Sequence, residues 1–97
     1  LKSGPVDIPD EIRKLRSDLK LSQARLGKIL NVATQSIWNW EHCHRTPGHI
    51  HMSIVRAMQK LHDDQELDHK DMPLIINTIN REGHHVALIE MFRRSTP

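Results

Sequence analysis

The sequence predicts an all-α fold, a bundle of four helices followed by a C-terminal apolar extension that reads as two further helices. Three observations predict it. Apolar residues recur at three- and four-residue intervals along most of the chain, helix-capping residues stand before these segments and turn formers after them, and no long run of strict alternation interrupts them. The chain has 97 residues, 37% of them apolar, which is enough for one modest core. Trp38, Trp40 and Phe92 are its only aromatic residues, so that core must be built from Leu, Ile, Val and Met.

Residues 1–6, with Ser3, Gly4 and Pro5, have no periodicity and read as a disordered arm. Order is expected from Asp7. Ile8, Ile12, Leu15 and Leu19 lie at helical spacing, Asp7 offers a cap, Pro9 falls in the first turn, and Asp10 and Glu11 suit the positive end of a helix over 8–20. Ser22 is the next cap. Leu26, Ile29 and Leu30 predict a short second helix that stops at Asn31, a residue able to take the left-handed conformation. A third helix over 34–42 follows within three or four residues and buries Ile37 and Trp40. Thr46, Pro47 and Gly48 break the chain. Ile50, Met52, Ile54, Val55, Met58 and Leu61 then make the broad apolar face of a fourth helix, completing a unit over 7–62.

Residues 63–72 are polar and mostly acidic, with Leu67 as the one candidate for burial, and read as a linker. The extension occupies 73–97. Pro73 at a helix start, then Leu74, Ile75, Ile76 and Ile79, then Gly83 as a stop, predict a fifth helix. Val86, Leu88, Ile89, Met91 and Phe92 form a last apolar run. Its spacing suits a helix and its branched residues suit a strand; helix is favoured over 85–93.

Net charge is +2, but residues 1–47 carry eight Lys/Arg against five Asp/Glu, and residues 48–97 carry six against seven. The basic half is the first half, and this balance permits nucleic-acid binding without requiring it. No apolar stretch approaches the roughly 18 residues of a membrane helix, so no membrane partner is expected. Cys43 is the sole cysteine, which excludes an internal disulfide and fits a reducing, cytoplasmic setting. Leu1 in place of an initiating Met fits a processed product or a piece of something longer.

Between residues 21 and 47 the sequence becomes specific. The run Leu21-Ser22-Gln23, Leu26-Gly27, Leu30-Asn31-Val32, Ser36-Ile37, Trp40-Glu41 and Pro47 resembles the lambda-repressor/Cro-like (XRE-type) helix-turn-helix family. The departures are Asn31 and Cys43 where the family has Gly, and Ala33 where it has a Ser cap, which leaves Thr34 as the substitute cap of the third helix. The resemblance implies a lambda-repressor-like bundle and a sequence-specific DNA-binding transcriptional regulator, in the manner of a dimeric bacterial or phage repressor on a pseudo-palindromic operator. An antitoxin of the same family, using residues 63–97 to cap a toxin protein, is the nearest alternative. A protein-bridging module with this fold is the alternative from another class, and the polar stripe Gln23, Thr34, Gln35 and Asn39 argues against it.

The resemblance also implies roles. Thr34, Gln35 and Asn39 correspond to base-reading positions, where Gln or Asn can bond bidentately to adenine. Gln23 and Ser36 correspond to phosphate contacts, and Lys28, His44 and Arg45 supply positive charge beside the groove. Trp38 shares a helical stripe with Gln35, Asn39 and His42, which turns it toward the same face; packing on the fourth helix or on a dimer partner is equally open. Arg16 and Glu41 correspond to an ion pair tying the first helix to the end of the recognition helix, against the plainer alternative of two solvated charges. For the dimer, the extension offers Leu74, Ile75, Ile79, Val86, Ile89 and Phe92, which would set recognition helices about 34 Å apart; the alternative is a tail folded back on the first and fourth helices of its own chain, leaving a monomer until it meets DNA.

Other chemistry finds little support. His42, Cys43, His44, His49 and His51 match no tetrahedral zinc spacing, so no metal and no cofactor are expected. Cys43 reads as a structural thiol rather than a redox sensor. The acidic run lacks the Gly and terminal Glu of a calcium loop, and the absence of a phosphate loop, nucleophile elbow or HExxH predicts a protein without enzymatic activity.

Overall fold

The computed structural model describes residues 7–93. Six α-helices and one 3-10 turn account for its regular structure, and no strand occurs among the described residues: α1 (Ile8–Leu19), α2 (Gln23–Leu30), α3 (Thr34–Glu41), α4 (His49–Asp63), the turn His69–Asp71, α5 (Met72–Glu82) and α6 (His84–Phe92). The disordered arm expected at 1–6 lies outside the described residues, as do the last four residues of the extension. No described helix is long and apolar enough to cross a membrane.

Local chemistry explains most helix boundaries. Ser22 accepts the Arg25 N–H at 3.1 Å as the cap of α2. Lys20 and Asn31 close α1 and α2 in the left-handed conformation, at φ 53° and 61°, and Gly83, at φ 97°, joins α5 directly to α6. Two expected caps are corrected. Asp7 stands at the start of α1 without a side-chain hydrogen bond, and α3 is preceded by Ala33, so Thr34 is already helical and does not cap. The last apolar run is helical, within α6: Ala87 and Met91, four apart, are buried in the core, and Leu88 and Phe92 pack partly against it.

One continuous core runs through the described chain. Ile12, Leu15 and Leu19 of α1, Leu26 and Ile29 of α2, Ile37 of α3 and Val55, Met58 and Leu61 of α4 meet inside it. It also takes in Leu67, Met72, Ile75, Ile79, Ala87 and Met91. The acidic stretch expected as a linker is therefore anchored by Leu67 and closed by the reciprocal capping of Asp68 and Asp71. The α5–α6 hairpin folds back on the bundle, with α5 against α2 and α6 against α4. Ile75 and Ile79, expected at a dimer surface, are only 6% and 5% exposed, because α5 spends its apolar stripe on its own chain. Leu74 and Ile89 are exposed, while Val86 and Phe92 are half-buried. Ile50, expected on the apolar face of α4, is 71% exposed at that helix's first turn.

Candidate nucleic-acid interface

α2 and α3 are joined by residues 31–33 alone, and so short a connection requires two local adaptations. Asn31 takes the left-handed conformation, and the Val32 N–H returns to the Gly27 carbonyl at 2.9 Å. A Cβ on Gly27 would stand 2.8 Å from the Val32 carbonyl oxygen, so the tight approach of turn to helix needs glycine there.

α3 presents two different faces. Inward, Ile37, Trp40 and Glu41 are buried. Outward, Thr34, Gln35 and Trp38 are exposed and Ser36 and Asn39 are half-buried. The Gln35 amide donates to Asn39 Oδ1 at 3.2 Å, so these two side chains stand together one turn apart.

The inward face is fixed by a carboxylate. Glu41 is 3% exposed and accepts Arg16 Nε at 2.6 Å, Arg16 Nη2 at 3.0 Å and the Gln23 amide at 3.1 Å. Arg13 Nε lies 3.8 Å from the same carboxylate, and its guanidinium also donates to the Glu41 backbone carbonyl at the end of α3. α1, α2 and α3 are thus locked to one group, and the structure brings Arg16 and Glu41 into a forked pair. Burial pushes the Glu41 carboxyl upward, but the hydrogen bonds from Arg16 and Gln23 and the charges of Arg16 and Arg13 outweigh it, leaving a net shift below the usual carboxylate range.

Gln23 is half-buried and commits an amide hydrogen to Glu41, so it braces α2 against α3. Lys28, His44 and Arg45 are exposed. The backbone N–H groups of His44 and Arg45 close on the Asn39 carbonyl at 2.9 and 3.4 Å, while Cys43 takes φ 62° between helix and loop. The Trp38 indole stacks on His42 with centroids 4.0 Å apart and planes 17° apart, and on His44 at 5.2 Å and 22°.

Sequence reasoning missed three features. Arg13 and Gln23 join the Glu41 cluster from two different helices, and no local pattern announces that. Asp18, His62 and Asp63 bring their ligand atoms within 4.8 Å of one another, although Asp18 Oδ2 already receives Lys14 Nζ at 2.8 Å and the Gln59 amide at 2.9 Å. Those two hydrogen bonds hold the Asp18 carboxyl below its ordinary range. His84 at the start of α6 donates from Nε2 to the Lys28 carbonyl at 2.6 Å, tying the extension to the end of α2. No protein-family model, curated protein or solved structure matches the chain.

Proposed function

We propose that the protein is a sequence-specific DNA-binding transcriptional regulator without enzymatic activity, acting on double-stranded DNA through α2 and α3 as a lambda-repressor-like helix-turn-helix. The observation that carries this reading is the division of α3 into a buried face braced by Glu41 and an outward face of hydroxyl and amide side chains with the Trp38 indole among them. A helix laid in the major groove must be held rigidly while it offers hydrogen-bonding groups to base edges. Gln35 and Asn39, hydrogen-bonded to each other, supply base contacts with Thr34, and an amide meets adenine bidentately. Ser36, Trp38, Lys28, His44 and Arg45 serve the backbone, where contacts position but do not specify. Gln23 reaches a phosphate only with the amide hydrogen that Glu41 leaves free.

Selection of binding sequences from random duplexes tests the reading. An enriched motif should appear, and Gln35→Ala or Asn39→Ala should weaken binding to it by about 1–3 kcal/mol while leaving unselected DNA nearly unaffected. Arg45→Ala should weaken both and lower the salt slope by about one. No enriched motif, or equal losses on both DNAs, removes the base-reading role.

The regulator acts as a homodimer through the side of α6 turned from the core, where Ile89 is 47% exposed beside half-buried Val86, while Phe92 packs against the core. The same apolar side favours a second reading, an antitoxin that covers it with a toxin protein. Sedimentation of the pure chain separates the two: Ile89→Asp dissociates a homodimer, whereas an antitoxin of the second kind sediments as monomer with or without the substitution.

A further inference from the structure

His42 closes α3 and carries a hydrogen bond that dictates its chemistry. Its Nδ1 lies 2.9 Å from the Trp38 carbonyl oxygen. A carbonyl only accepts, so Nδ1 must carry the hydrogen, and in the neutral ring Nε2 is then a bare acceptor. Nε2 has no hydrogen-bond partner among the described residues, and the side chain is exposed. A bare acceptor cannot bond a phosphate oxygen. Once protonated, the same nitrogen becomes a charged donor while Nδ1 keeps its bond to Trp38.

The ring is also held in place. Near-parallel stacking at 4.0 Å on Trp38 restricts its rotation, and an indole face attracts a cation, so the stack stays assembled when the imidazole is charged. Trp38 itself is 38% exposed on the stripe that holds Gln35 and Asn39, so both rings stand on the outward side of α3.

We propose that His42, positioned by Trp38, is a proton-dependent donor to the DNA backbone, so that the affinity of this interface for DNA rises as pH falls. The inference rests on the DNA-binding reading of α3. The surrounding charges do not supply a competing partner. From α1, Arg13 and Arg16 turn to Glu41; from α2, the uncharged Gln23 turns to the same carboxylate. Glu41 is buried under those donors, and no carboxylate of the described residues lies within 4.0 Å of a ring nitrogen of His42 or His44. In the loop after α3, His44, stacked on the same indole, and Arg45 add groups of the same sign. His51 lies against Trp40, on the other stripe of α3.

The test is fluorescence anisotropy of the full chain on a labelled mixed-sequence duplex of about 20 base pairs, titrated with salt at about pH 8 and about pH 5.5. Wild type should bind about tenfold more tightly at the lower pH, with a salt slope steeper by about one. His42→Gln should lose most of that pH response, and His42→Arg should bind tightly at both pH values. Trp38→Ala, which keeps the imidazole but removes its platform, should reduce the response, and His85→Gln on α6 should not change it. A pH response in His42→Gln equal to that of wild type overturns the proposal while leaving DNA binding intact. So does a His42→Arg protein that binds at pH 8 no better than wild type. No binding by wild type at either pH overturns the DNA-binding reading as well.

Discussion

Replacing Glu41 with Ala should be among the most damaging single changes available to this chain. The side chain is 3% exposed and accepts three hydrogen bonds, two of them from Arg16, whose own side chain is 23% exposed. Removing one partner of a buried pair costs about 3–5 kcal/mol, because the remaining charge is left without compensation. Arg16 retains some access to water and still donates to the Leu21 carbonyl at 3.1 Å, which lowers the expectation here. A loss of about 2–4 kcal/mol remains, which for a domain of this size lowers Tm by about 10–20 °C. Urea titrations of Arg16→Ala, Glu41→Ala and the double variant measure the coupling directly, and about 1.5–3 kcal/mol is expected where an exposed pair gives a few tenths. Because the folded Glu41 carboxyl is held below its ordinary range, its contribution is complete above the unfolded value of about 4.3 and is lost as pH falls through the lower folded value. Glu41→Gln should therefore be less stable than wild type at neutral pH, with the gap closing on acidification below about pH 4.3. Additive single effects, or a gap that does not change with pH, would refute the account of Glu41 as a charged brace between three helices.

Three further substitutions probe the α2–α3 unit. Gly27→Ala should cost about 1–3 kcal/mol in urea denaturation, since the new Cβ meets a backbone oxygen at 2.8 Å and neither the turn nor α2 can yield cheaply; an unchanged midpoint would show that the turn relaxes. Ala33→Ser should add about 1 kcal/mol by supplying the cap that α3 lacks, and a gain in Tm with unaltered circular dichroism is the expected reading. Cys43→Gly should stabilise by about 0.5–1 kcal/mol through relief of the left-handed conformation, less the entropy that glycine loses on folding; a loss of stability would instead assign the thiol a packing role.

What the sequence by itself determined is local. Apolar spacing and end signals are properties of a few consecutive residues, so α1 to α5 were legible to within a residue or two, as were the stops at Asn31 and Gly83. The outward stripe of α3 was legible for the same reason, since Ile37 and Trp40 define the opposite face. The tertiary structure decided everything that depends on which faces meet. Ile75 and Ile79 carry the same apolar character whether they cover a partner or their own core, and only the return of α5 onto α2 assigns them inside. The short apolar run of α6 is compatible with two periods until Ala87 and Met91 find the bundle. Arg13 and Gln23 are an ordinary helical cation and amide in sequence; their roles arise because burying Glu41 leaves a charge that must be compensated, and the nearest donors happen to come from two other helices. The exposed indole of Trp38 follows the same rule, since spacing places it on the outer stripe but only the loop that folds back on the Asn39 carbonyl brings His44 beside it.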